Sequence, residues 1–295
     1  MTAIIEVEDL TKRFGSLAAV DDVSFRVPEH AITGLLGRNG AGKTTLMQLI
    51  TGQEFVTSGR IRVFGESPLE NAAVLSRTCF IKESQTYPEG FKGEHVLRVA
   101  GWVFPRWDEA LARDLVAEFR VPLDRRMKKL SRGQASAVGV VVGLASRAEL
   151  TIFDEPYAGL DAVARQAFYD RLLADYAEHP RTVIMSTHLI DEVADLLEHV
   201  LVIDDGRLII DRPAEELRGS ATTVSGRQSE VEAFARGREV LDTGTLGGFT
   251  SVTVTGLTAA ERAAAAASGL DVGPVSLQQL VIGRTRGTAR QEVAS

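Results

Sequence analysis

The sequence predicts an α/β protein. A parallel sheet flanked by helices forms the core, with an antiparallel β section ahead of it, a helical section inside it and a small α+β domain behind it. Three observations carry this reading. Apolar runs of strand length at 31–36, 149–153 and 181–186 are separated by helical stretches, the order of a parallel core. Residues 4–30 alternate apolar and polar through Ile5, Val7, Leu10, Val23, Phe25 and Val27, the period of antiparallel strands. Around Arg218-Gly219-Ser220 the composition shifts to Gly, Thr, Ala and Val, which marks a domain boundary.

Bulk properties narrow the class. The 295 residues suffice for one large or two modest domains. Hydrophobic content of 44% and charged content of 25% are ordinary for a globular chain. A net charge of −7 argues against binding through a general positive field, so no nucleic-acid partner is expected. The single cysteine, Cys79, excludes an internal disulfide, points to a reducing compartment and reads as a small core residue. Residues 1–8 lack the basic start and long apolar run of a signal peptide. The longest apolar stretch, near 138–145, is far short of a membrane span, so work at a membrane needs spans from another chain.

In chain order, the strand at 31–36 runs into Gly37-Arg38-Asn39-Gly40-Ala41-Gly42-Lys43-Thr44-Thr45, and a helix starts at Leu46-Met47-Gln48-Leu49-Ile50. Thr51-Gly52 ends that helix, and 58–65 reads as a short strand. From about 84 to 147 the pattern is helical, with helices at 94–103, 108–119 and 131–146 punctuated by Pro88, Pro105 and Pro122. The strand at 149–153 ends in Asp154-Glu155-Pro156 and a helix follows around 162–176. The strand at 181–186 runs into Thr187-His188, and a helix is expected at 190–197. Apolar runs at 200–203 and 208–210 flank Asp205-Gly206, a β-hairpin signal. Residues 1–218 thus form the main domain, and 219–283 a small accessory domain. The latter should hold strand signal at 221–224 and 239–255 and helices at 228–236 and 258–268. The second helix carries a capping box, Thr258 and Glu261, and stops at Gly269. Residues 284–295 read as a disordered polar tail.

The stretch 37–45 is G-x-x-x-x-G-K-[ST] between a strand and a helix. Its glycines let backbone N–H groups converge in a nest, and the helix N-terminus adds to the attraction for phosphate. Lys43 is suited to reach the β- and γ-phosphates, and the Thr44 hydroxyl to ligate Mg²⁺. Two carboxylates at a strand end, Asp154 and Glu155, suit a metal ligand and a general base. Ser131 and Gly133, at a helix start, offer a hydroxyl and N–H groups to a phosphate.

Four further motifs follow the phosphate loop in a fixed order: Leu130-Ser131-Arg132-Gly133-Gln134, the strand ending in Asp154-Glu155, Gly159-Leu160-Asp161, and His188. Together these resemble the ATP-binding cassette (ABC) ATPases, over residues 4 to about 218. The resemblance implies a P-loop NTPase of the ABC type that uses ATP and Mg²⁺. It implies that Thr44 and Asp154 hold the metal, that Glu155 polarises the attacking water, and that His188 meets the γ-phosphate. It places Phe14 against adenine, Ser131 and Gly133 at the ATP of a second subunit, and Gln134 and Asp161 among the ATP-binding residues. One phosphate loop and one signature per chain then require a dimer, which is expected to be a homodimer. An integral membrane permease, contacted through 85–105, and a place on the cytoplasmic face of the cell membrane are implied too. Tyr87-Pro88-Glu89-Gly90-Phe91 resembles the matching region of bacterial drug- and bacitracin-type exporter ATPases, which implies export.

Two positions depart from the family pattern. Arg132 stands where the signature most often has Gly. Glu83 stands where a loop glutamine normally touches Mg²⁺, and its carboxylate is a candidate Mg²⁺ ligand in that place, with Gln85, two residues later, as the alternative substitute for the glutamine. A soluble cassette ATPase acting on ribosomes or DNA is the alternative, but a second cassette or a long coiled-coil insertion is missing from this sequence. A non-hydrolysing nucleotide sensor is opposed by the presence of both Glu155 and His188.

Overall fold

The computed structural model describes residues 2–83 and 85–293, with side chains to 285. Strands β1 (Ala3–Phe14) and β2 (Leu17–Pro28) form the predicted antiparallel pair. β3 (Ile32–Leu36) leads through the phosphate loop into α1 (Lys43–Ile50). β4 (Ser58–Val63) returns to β1, giving a three-stranded sheet ordered β2-β1-β4.

After α2 (Ala72–Leu75) comes β5 (Thr78–Ile81), an edge strand of the main sheet. The helical insertion follows as α3 (Gly93–Val103), α4 (Glu109–Glu118) and α5 (Arg132–Ala145). β6 (Leu150–Asp154), α6 (Ala162–Glu178), β7 (Thr182–Ser186) and α7 (Ile190–Val193) follow. β8 (His199–Asp204) and β9 (Arg207–Pro213) form the hairpin, and α8 (Ala214–Leu217) closes the domain.

The main sheet is ordered β5-β6-β7-β3-β8-β9 and is parallel except for β9. Every residue of β3, β6 and β7 is buried, as expected for strands covered on both faces. These three strands are neighbours, so the loops at their carboxyl ends converge. That convergence assembles the site.

α5 lies close on the sheet because it presents glycine there. A Cβ at Gly143 would stand 2.3 Å from Phe153 Cε1, and one at Gly139 would stand 2.9 Å from Ile81 Cγ2. Gly143→Ala should therefore overpack this contact and cost about 1–3 kcal/mol, read as a lowered denaturant midpoint.

The helix expected at 190–197 stops at Val193. The Leu196 N–H turns back to Val193 O, and Glu198 is drawn to the sheet, where its carboxylate accepts from Ile32 N–H at 2.9 Å and the Tyr176 hydroxyl at 2.8 Å.

The C-terminal unit is built from β10 (Ala221–Arg227), α9 (Gln228–Ala235), β11 (Val240–Leu246), β12 (Phe249–Thr255), α10 (Ala259–Ala267) and β13 (Asp271–Pro274), then α11 (Leu277–Val293). Its antiparallel sheet is ordered β11-β12-β10-β13, and it has its own core, including Val224, Val231, Val252 and Val254. α11 differs from the sequence reading. Residues 284–293 continue it as helix, with Thr285 buried and Arg284 paired to Glu239 at 2.9 Å. Tertiary contacts hold residues 284 and 285, at the start of a stretch whose polarity alone reads as a tail. Residues 294–295 of that expected tail lie outside the described residues.

Candidate nucleotide site

The phosphate loop needs its glycines. Gly37, Gly40 and Gly42 have φ of 149°, 83° and 106°. A Cβ at Gly37 would stand 2.1 Å from Ile203 O, and one at Gly42 would stand 2.3 Å from Ala19 O. Gly42 caps α1 without any side-chain acceptor, so the helix start keeps its N–H groups for a ligand. Lys43 is buried, and its Nζ donates to Gly37 O at 2.8 Å and Arg38 O at 2.9 Å. Burial lowers its pKa, opposed by the charges of Glu155 and Asp154. Thr44 Oγ1 donates to Asp154 Oδ2 at 2.9 Å, which joins the two expected metal ligands directly. Burial raises the Asp154 pKa against that hydrogen bond.

Glu155 directly follows β6 and sits at φ 46°, a left-handed conformation that costs energy for a non-glycine residue. Its N–H is held by Ser186 O at 3.2 Å, and its Oε2 lies 2.9 Å from His188 Nδ1. Tyr157 supports this pair from below. Its hydroxyl hydrogen-bonds the Thr187 side chain, and its ring meets His188 edge-on at 6.1 Å. Burial pushes the Tyr157 phenol up to about 12, so it stays a neutral hydrogen-bonding group.

A cleft of about 940 Å³ gathers Phe14, Asn39, Gly40, Gly42, Lys43, Thr44 and Thr45 with Asp154, Glu155 and His188. Phe14 is half exposed in its wall, with Lys12 Nζ 4.6 Å from the ring centroid. Gly37, Arg38 and Ala41 form the loop body, where Ala41 N–H closes a turn onto Arg38 O and Ala41 O accepts from Gly206 N–H. Ser131, Gly133, Gln134 and Asp161 do not line the cleft. Ser131 and Gln134 form a reciprocal capping box on α5, and Asp161 caps α6 through Ala164 N–H at 2.8 Å. Gly133 is required by packing, since a Cβ there would stand 2.3 Å from Gly159 O.

The two unusual residues meet. Arg132, the first residue of α5, is ion-paired with Glu83 beyond β5, and both line the cleft. Gln85 instead lines a smaller cavity, about 270 Å³, together with Thr44 and Asp154. Among the described residues, no three His, Cys, Asp or Glu side chains form a metal-holding group. The donor set of Thr44 and Asp154 therefore suits a Mg²⁺ that takes its other ligands from phosphate and water. Sequence reasoning missed Tyr157, whose role lies in contacts rather than spacing. It also missed Arg165, which lines the cleft and donates to Leu160 O at 3.1 Å.

The ABC transporter family model matches residues 20–158. A bacitracin transport ATP-binding protein of Bacillus licheniformis is 33% identical over 223 residues, 74% of this chain and 72% of its own. The chain belongs to the ATP-binding subunits of ABC transporters. A solved ATP-binding subunit of an ABC transporter is 25% identical with a TM-score of 0.66, covering 72% of this chain and 91% of its own. A dimeric ATP-binding cassette solved with ADP and Pi has a TM-score of 0.62 at 18% identity, covering 71% and 98%, and shares the fold. This ABC subunit binds ATP and hydrolyses it. No helix among the described residues is long and apolar enough to cross a membrane.

Proposed function

We propose that this ABC subunit drives export through a separate integral membrane permease, working as a homodimer on the cytoplasmic face of the membrane. The observation that carries the catalytic part is the convergence of Lys43, Thr44, Asp154, Glu155 and His188 on one cleft. Lys43 exchanges its two carbonyl partners for phosphate oxygens, a charge-assisted bond that favours bound nucleotide. Thr44 and Asp154 would hold Mg²⁺, which would neutralise charge on the phosphates. Gln85 shares a smaller cavity with them, while Glu83, paired with Arg132, lines the main cleft beside them. Glu155 accepts a proton from the attacking water, and His188 orients the Glu155 carboxylate through Nδ1. Phe14 offers its ring face to adenine.

The dimer reading is supported by Ser131, Gly133 and Gln134 lying outside the cleft that holds Lys43. In this reading they serve the ATP of the second copy at the start of α5, which is how ATP binding favours the closed pair. The direction of transport rests on the 87–91 segment and on the bacitracin transport relative.

The test is to purify the tagged chain from membranes. An integral membrane protein should come with it, and inside-out vesicles holding both should accumulate cargo when ATP is added. Recovery of the chain on ribosomes or without any membrane partner rejects the transport reading. Uptake only in right-side-out vesicles, with ATP supplied inside them, reverses the direction.

The Arg132–Glu83 pair is exposed, so its effect should be modest. Glu83→Gln and Arg132→Gly should each change the KM for ATP by no more than about fivefold. In the double variant the two effects should fail to multiply, which a double-mutant cycle on KM measures.

A further inference from the structure

We propose that Asp191 couples the C-terminal domain to the hydrolytic site, acting as a positioning residue for His188. The inference rests on His188 orienting Glu155 as described above.

Asp191 lies three residues beyond His188, in the short helix α7. The intervening chain is held, because Leu189 N–H donates to Thr187 Oγ1 at 2.9 Å. The Asp191 carboxylate accepts from both Ser276 Oγ and Gln278 N–H, each at 3.3 Å. It therefore docks the start of α11, the helix that leaves the C-terminal unit. Apolar packing backs the polar contact: Val281 of α11 is buried in the core of the ATPase domain, and Leu277 packs against it. Further along, Gly283 of α11 lies close on Leu241 of β11, where an added Cβ would stand 3.0 Å from Leu241 Cβ. One helix thus rests on the accessory sheet and on the segment carrying His188.

α7 is a junction in the other direction too. Its Glu192 receives Arg165 twice, at 3.1 Å each, and Arg165 donates to Leu160 O in the loop after Glu155. Displacing α11 would release Asp191 and leave α7 held by α6, by the buried side chains of Ile190 and Val193 and by Arg218 at Ala194 O. The His188–Glu155 contact would then lose one of the supports of its segment. The accessory domain thereby gains control of turnover without touching nucleotide. Its effect should fall on the chemical step rather than on binding, because Lys43 and the phosphate loop lie on different elements.

The experiment uses the full chain with Asp191→Ala and Asp191→Asn. Asparagine keeps an oxygen acceptor for the α11 contacts. Asp191→Ala should lower kcat about tenfold with the KM for ATP unchanged, within the range that coupling residues produce. Hydrogen exchange at 186–193 should rise in the same variant, a readout that needs no turnover. Asp191→Asn should stay within about twofold of the parent in kcat, since it retains an acceptor. A parental kcat in Asp191→Ala overturns the proposal, and so does a loss carried by KM with exchange at 186–193 unchanged. A parent chain that hydrolyses no ATP would instead overturn the reading of the site, and the exchange measurement would still test the coupling.

Discussion

Glu155→Gln is expected to cut ATP turnover by about 100-fold or more while ATP still binds within a few-fold of the parent. The variant keeps the shape of the side chain, and its amide can still bond His188 Nδ1. What it loses is basicity: an amide cannot take the proton of the attacking water. Binding should be spared because the groups around phosphate, Lys43 and the α1 N-terminus, are unchanged. One negative charge facing Lys43 is also removed. With hydrolysis stopped, the closed pair should persist, so size-exclusion chromatography with Mg²⁺ and ATP should show a dimer that the parent shows only briefly. Phosphate release at the parental rate would reject Glu155 as the base.

Lys43→Ala should weaken ATP binding by about 10- to 100-fold, the worth of one or two charge-assisted hydrogen bonds. Lys43 is the buried cation of the cleft, and its pKa is lowered by burial while Glu155 and Asp154 work to keep it charged. Removing it leaves Gly37 O and Arg38 O without their present donor, so a small loss of stability accompanies the loss of affinity. Equilibrium binding of a fluorescent nucleotide separates the two, since the binding loss should persist well below the melting temperature. Unchanged affinity would mean that the loop amides alone hold the phosphates.

The two variants divide the site between binding and chemistry, and the fold explains the division. Lys43 opens α1 after the loop that follows β3, whereas Glu155 and His188 follow β6 and β7. The three strands are neighbours in space, although β3 lies more than a hundred residues from β6 and β7 in sequence. The left-handed backbone of Glu155 is held by the Ser186 carbonyl across that strand boundary. Strain at Glu155 is thus maintained by the sheet itself.

Much of this was legible in the sequence because it is local. The glycine spacing of 37–42, the apolar runs that become β3, β6 and β7, the Asp205-Gly206 hairpin and the Thr258/Glu261 capping box each depend on neighbouring residues. So did the order of motifs that identified the family. The helix at 190–197 was overextended, because Glu198 is claimed by β3 and Tyr176, partners that no local window contains. The stretch expected to be a tail from 284 begins as packed helix for the same reason: Thr285 is buried and Arg284 pairs with Glu239, 45 residues away.

By itself, then, the sequence determined the nucleotide chemistry, since backbone conformation and side-chain type at fixed spacing decide what a phosphate and a metal meet. Tertiary structure alone decided which side chains touch. It set Glu83 against Arg132, put Gln85 beside Thr44 and Asp154, placed Tyr157 under His188, and joined α11 to Asp191. Those contacts arise from elements brought together only when the sheet and its helices bury their apolar faces, and hydrophobic burial carries no record of them in local spacing.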